Sequence, residues 1–315
     1  YGTADLTIDA VNSVLIQATN ARAVHIHVVD NASPGDDAAM LKATHAKPAW
    51  SDHVTLHLEE VNHGFGGGNN VVLQHYAKNG VLPDKVFLLN PDAALDNNAI
   101  EILATFLDDT PSAGFAGAGI SKPDGTAVTA AFRFPNAIAE FSQSLSFGPV
   151  ASLLKRWSVP LSPAHPHGKV DWVSGAAVMA RGEALQDVDF FDPIFFLYYE
   201  EVDLMRQASK KGWETWYVPA AKVIHAEGAA TGVKSGEEER RRKPAYWYHS
   251  WQYYYRKNHG RVTAMVAALG YLVGMAGQNV ISVMRGRQTQ TPLNGISDFW
   301  RLALRPILRR QSTDG

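Results

Sequence analysis

AVHIHVVD, residues 23–30, is an apolar, β-branched run that closes on an acid. That composition and length mark a strand buried on both faces, and strands of this kind belong to sheets covered by helices. VTLHLEE (54–60) and KVFLLNPD (85–92) have the same character. Between the three lie DDAAMLKATHA (36–46) and NNVVLQHYAKNG (69–80), both with helical patterns, the second ending on Gly80 as a C-cap would. Strand–helix–strand alternation predicts an α/β protein with a mostly parallel sheet and helices on both faces. The chain opens out of phase with this rule. YGTADLTIDAVNSVLIQA (1–18) reads as a loop and a helix, so a strand is expected to precede Tyr1.

At 315 residues and 46% hydrophobic composition, the chain can bury a large core and carry an appendage. Its net charge of −2 argues against a general nucleic-acid binder, and no nucleic-acid partner is expected. The absence of cysteine excludes a disulfide scaffold and thiol catalysis and fits a reducing cytoplasm. No secretory leader pattern is read at the N-terminus. Basic residues crowd the end of the chain, in ERRRKP (239–244), YRK (255–257), RGR (285–287) and RLALRPILRR (301–310). Such asymmetry marks a surface for phosphates or anionic lipid. VTAMVAALGYLVGMAGQNVISVM (262–284) exceeds the ~20 residues that cross a bilayer, yet it contains Gln278, Asn279 and several glycines. It reads as a helix that meets a membrane or packs on its own protein. SGEEERRRKP (235–244) reads as a charged linker or exposed helix start.

In sheets of this class ligands bind where strands end. Those positions are Asp30-Asn31, the stretch Asn62 to Asn70, and Asn90-Pro91-Asp92. Asp30 can accept from a base or a ribose, or cap the next helix. NHGFGGGNN (62–70) reads as a glycine loop that lets the backbone approach a ligand and then feeds a helix N-terminus suited to anions. No Lys-Ser or Lys-Thr follows, so it is not a Walker loop. Asp92 offers a hard cation an oxygen, and His225, after another β-like run, offers a second ligand or a packed core ring. In FFDPIFFLYYEEVDLMRQASKKGW (190–213), three carboxylates follow an aromatic run. They either start a helix, where acids suit the positive end of the dipole, or supply a catalytic base. On a helix Glu200 and Asp203 share a face and Glu201 points about 100° away, so at most two of them face one ligand.

Taken in order, VVDNAS, NHGFGGGNN, LNPDAAL, WVSGAAVMARGEAL (172–185), YYEEVDLMRQASKKGW and VIHAEG resemble the inverting GT-A glycosyltransferases of family 2, more narrowly the bacterial rhamnosyltransferase-like members. The resemblance runs over about residues 1 to 260. It implies a GT-A nucleotide-sugar-binding and catalytic domain over 1–233, its first strand ahead of Tyr1, and a C-terminal helical region over 234–315. It places Asp30 and Asn31 at the base, and Gly64, Phe65, Gly67 and Asn69 along the nucleotide. Asn90, Asp92, Ser174 and Gly175 join the same nucleotide-sugar site. A divalent cation, Mg²⁺ or Mn²⁺, is expected on Asp92 and His225. Glu201 becomes the base, with Glu200 or Asp203 organising the pocket or capping the helix. Two positions depart from the family pattern: Glu200-Glu201-Val202-Asp203 stands where Glu-Asp-x-Asp is common, and His225-Ala-Glu-Gly-Ala where His-x-Gly-x-Ser is common. The implied activity is transfer of rhamnose from dTDP-rhamnose to a lipid-linked glycan at the cytoplasmic face of a membrane. A UDP-hexose or UDP-galactofuranose donor, or a non-catalytic nucleotide-sugar binder, is the alternative. The basic tail is expected to make peripheral membrane contact or to pair two subunits.

Overall fold

Helix α1 (Ala4–Gln17) precedes strand β1 (Ile26–Asn31), and helices α2 (Asp37–His45) and α3 (Pro48–Ser51) cross over to β2 (Val54–Glu59). In this computed structural model residues 1–17, 23–226 and 241–309 are described. β1 and β2 pair in parallel with Asp30 opposite Leu58, which puts both strand ends at one edge. Helix α4 (Gly64–Lys78) leads to β3 (Lys85–Leu89) and β4 (Ala93–Leu95); α5 (Ala99–Asp109) leads to β5 (Ala113–Ser121), β6 (Ala127–Val128) and β7 (Ala131–Phe132). After α6 (Ala137–Leu145) and α7 (Gly148–Leu153) come β8 (Gly168–Val170), β9 (Trp172–Val173), β10 (Ala177–Arg181), α8 (Gly182–Asp187), α9 (Glu200–Lys210) and β11 (Glu214–His225).

The main sheet runs β3-β10-β5-β11-β4, with β6 on β5 and β8 on β11; β7 and β9 form a small separate pair. The α/β architecture is as the sequence predicts, but the strand directions are mixed. β1–β2 and β5–β11 are parallel, while β10 runs against both β3 and β5, and β4 against β11. The residues that suggested a parallel sheet sample only helical crossovers, the connection a parallel pair requires. Core residues sit on both faces of the sheet: Phe115, Val178 and Leu185 on one, Ala116, Met179 and the Leu103–Leu107 face of α5 on the other. Among the described residues, β1–β2 and the main sheet are not hydrogen-bonded to each other.

The chain divides into two compact units. The first comprises 1–132, 160–196 and 200–235, and the second 133–159, 197–199 and 236–315. In the second unit α10 (Ala245–Met284) bends at Gly260, whose φ of 76° and ψ of 170° suit glycine. Trp251, Tyr254, Tyr255 and Phe299 form its aromatic core, each fully buried. Beyond the bend α10 lies on α6, with Gly274 so close that a Cβ would come 2.0 Å from Ser144 Oγ. Helix α11 (Gly295–Phe299), a π-helical turn (Trp300–Leu304) and α12 (Arg305–Leu308) follow. Asp298 receives Arg242 Nε and an Arg242 terminal nitrogen at 2.6 and 2.7 Å. The helix expected over 262–284 is present, and α10 is long and apolar enough to cross a membrane by length and composition. Residues 235–240 of the expected charged linker lie outside the described residues; 241–244 are not helical.

Candidate active site

At the end of β1, Asp30 is buried and its Oδ2 accepts the Ser33 N–H at 3.3 Å. Asn31 latches the strand to α4. Its Nδ2 donates to Asn62 Oδ1 and to the Gly64 carbonyl, and its Oδ1 accepts the His63 N–H. The glycines differ from expectation: they are not a loop before the helix but its first turns. A Cβ on Gly64, at φ 75°, would lie 1.8 Å from the Phe196 carbonyl oxygen, which accepts the Phe65 N–H. Gly66 packs on Phe191 and Gly67 on His63. These glycines let a helix lie against the chain's own backbone, so helical geometry wins over their poor propensity. Asn69 turns inward and donates to the Phe65 carbonyl. Asn70, buried, grips the Phe191 backbone from both sides, donating to its oxygen at 2.8 Å and accepting its N–H at 3.1 Å. Sequence reasoning gave Asn70, Phe191 and Phe196 no role. The one available signal was a second asparagine in an otherwise apolar helical register.

Asp92 and His225, separated by 133 positions, meet at 2.9 Å between Oδ1 and Nε2. The cause is register: β11 pairs with β4 so that His225 faces Ala93, and the Ala226 N–H bonds the Asp92 carbonyl. A carboxylate oxygen beside an imidazole nitrogen fits a divalent cation that takes its other ligands from phosphate oxygens. Among the described residues no group of three or more His, Cys, Asp or Glu side chains could hold a metal on protein ligands alone.

Asn90 connects this corner to the next. Its N–H donates to the Ala176 carbonyl, while its buried Oδ1 has no hydrogen-bond partner among the described residues. Ser174 turns the chain there, its Oγ accepting the Ala176 N–H. Gly175 is packed at this corner: a Cβ built on it would touch the Phe65 ring at 3.5 Å and Glu201 Cβ at 3.6 Å. Phe65, Gly175 and Glu201 are thus brought together.

The acids start α9, directly after Tyr198 and Tyr199, whose φ values of 69° and 71° are strained for aromatic side chains. Glu200 and Asp203 are buried on the inner face, and Asp203 accepts the Gln207 amide. Glu201 points the other way, to Gly175, with its Oε2 shut from solvent and unpartnered among the described residues. Burial raises both glutamates above the usual carboxylate range, and for Glu200 the neighbouring Glu201 charge adds to it. A carboxylate held this way takes up a proton more readily than a solvated one.

Residues 3–250 match the family model described as glycosyltransferase like family 2. The chain belongs to this family. It is similar to the N-acetylglucosaminyl-diphospho-decaprenol L-rhamnosyltransferase of Mycobacterium tuberculosis, 32% identical over 154 residues, which are 47% of this chain and 49% of the relative. Rhamnosyltransferase WbbL of Escherichia coli is 24% identical over 67% of this chain and 76% of its own. The chain therefore spans about half the length of the mycobacterial relative it matches. Solved structures share the fold: S. aureus TarS 1–349 in complex with UDP, TM-score 0.53, 12% identical, covers 98% of this chain and 80% of its own. GalNAc-T7 with UDP, GalNAc and Mn²⁺, TM-score 0.50, 14% identical, covers 69% of this chain and 40% of its own.

Proposed function

We propose that this family 2 protein is an inverting, cation-dependent glycosyltransferase that moves rhamnose from dTDP-rhamnose to a lipid-linked glycan at the cytoplasmic face of a membrane. The observation that carries the reading is Glu201, whose Oε2 is enclosed and without a hydrogen-bond partner among the described residues, and whose stem lies beside Gly175 at the corner that Asn90 and Ser174 also shape. In direct displacement the acceptor hydroxyl gives its proton to Glu201 as its oxygen bonds the anomeric carbon, and the bond from that carbon to the diphosphate breaks on the opposite side. Asp92 and His225 would hold the divalent ion, which when bound neutralises the departing diphosphate. Asp30 serves the base, while Asn31 and the glycine turns shape the wall behind it. The sugar is inferred from the names of the two rhamnosyltransferase relatives, and the dTDP carrier from the resemblance read in the sequence.

Because the described residues offer the ion two adjacent side chains, ion and nucleotide should bind together. Calorimetric titration with dTDP should show tighter binding with Mn²⁺ than with EDTA and tighter binding than UDP. Asp92→Asn should erase the Mn²⁺ dependence and abolish transfer from dTDP-rhamnose. Full transfer in excess EDTA would refute the cation's role, and a preference for UDP would move the donor to a UDP-hexose or UDP-galactofuranose.

A further inference from the structure

Among the described residues of the second unit, none covers the outward side of the helix beyond Gly260. Val262, Val266, Leu269, Val273, Val280 and Val283 follow one another at helical spacing along one face and are 48 to 79% exposed. The opposite face is taken: Gly274 and Gly277 pack against Ser144 and Leu145 of α6, and Ala264, Ala267, Ala268 and Met275 are buried. Contiguous apolar surface of this extent marks a contact with something. Beside the stripe, and sharing Val273 and Ala276 with it, runs an open groove of about 880 Å³ whose wall carries Ile296, Trp300, Arg301 and Arg305.

Charge identifies the occupant. From 245 to 309 there are eight Lys and Arg residues and a single acid, Asp298. Arg242 already holds both oxygens of that acid, and exposed Arg301 touches one of them at 3.3 Å. A second copy of this surface would bring the same positive charge face to face, whereas an anionic leaflet supplies both acyl chains and phosphates.

We infer that this face lies flat on an anionic bilayer leaflet. The valine stripe enters the acyl boundary, half-exposed Trp300 sits at headgroup level, and Arg285, Arg287, Arg301 and Arg305 meet lipid phosphates. The helix rests in the interface and does not span, because its other face is committed to α6. The inference deepens the membrane part of the proposed function and is independent of the chemistry at Glu201.

The test is co-sedimentation of the full chain with phosphatidylcholine vesicles with and without phosphatidylglycerol. Binding should need phosphatidylglycerol and fall with salt. Val266→Asp with Val273→Asp should abolish it, and Arg301→Gln with Arg305→Gln should weaken it by about fivefold per charge removed. Circular dichroism and dTDP titration of the same samples should match the parent, since these side chains are exposed. Indifference to anionic vesicles at low salt would overturn the inference. So would a dimer dispersed by the aspartates, which assigns the stripe to a second copy, or resistance to alkaline carbonate extraction, which assigns a span. Vesicle binding without dTDP binding would instead defeat the proposed function and leave the docking face intact.

Discussion

Glu201 and Glu200 are neighbours in sequence that leave α9 in different directions. Each has a carboxyl oxygen that is enclosed and unpartnered among the described residues; Glu200 is buried as a whole residue, and Glu201 has its stem beside Gly175. Glu201→Gln should lower kcat by about 10²–10⁴ and spare dTDP affinity. It should not destabilise the fold. Glutamates raised by burial are favoured neutral in the folded chain; that stability is full below the unfolded pKa near 4.5 and declines as pH rises through the raised folded value. At neutral pH the glutamine therefore removes an unfavourable charge. The same shift sets the acid limb of kcat/KM above pH 4.5, because only the carboxylate accepts the proton. A limb at or below that pH, or a Glu200→Gln variant that is dead while Glu201→Gln is active, would reassign the base.

At the scale of elements, α4 shows how a glycine's neighbours decide its importance. A methyl on Gly64 meets the Phe196 carbonyl at 1.8 Å in left-handed backbone, whereas Gly80, also left-handed at φ 66°, has nothing within 4 Å. Gly64→Ala should cost about 2–5 kcal/mol in urea unfolding, and Gly80→Ala about 1 kcal/mol. Equal costs would mean the contact relaxes freely. The glycines were visible in the sequence, but their helical state was not, since it depends on Phe191 and Phe196 lying more than a hundred positions away. Local pattern revealed β1, β2, β3, α2 and α9, because burial periodicity is written within each segment. It did not reveal that β10 opposes its neighbours, or that 133–159 groups with α10, because pairing and packing are long-range. Asp92 and His225 were each legible as ligand types; their meeting at 2.9 Å follows from the β4–β11 register, which no local pattern records.

At the scale of the molecule, the β1–β2 piece of the first unit should lose stability as pH falls, through His27. His27 on β1 bonds His57 Nε2 and the Tyr76 hydroxyl. Burial, then the charges of His25, His57 and His75, lower its pKa to about 4. The unfolded chain takes up that proton near 6.5, so the contribution of the neutral ring is complete above 6.5 and drains away as pH falls towards 4. The urea midpoint should drop between those values, and His27→Gln should flatten part of the drop. A parent midpoint constant from pH 7 to 4.5 would refute this.

The separation of β1–β2 from the main sheet bears on how a substrate is felt. Asp30 and Asn31 close the small pair, while Asp92 and His225 sit at the margin of the large one. A nucleotide bound as proposed, base at one and diphosphate at the other, becomes a rivet between two sheets that share no ladder among the described residues. Two strands alone open easily, so their amides should exchange sooner than those of β5 and β10 in the free protein. With dTDP and Mn²⁺ bound, the two sets of exchange rates should converge, as the small molecule lends its grip to the backbone. Rates that ignore the ligand would mean that the base does not reach β1.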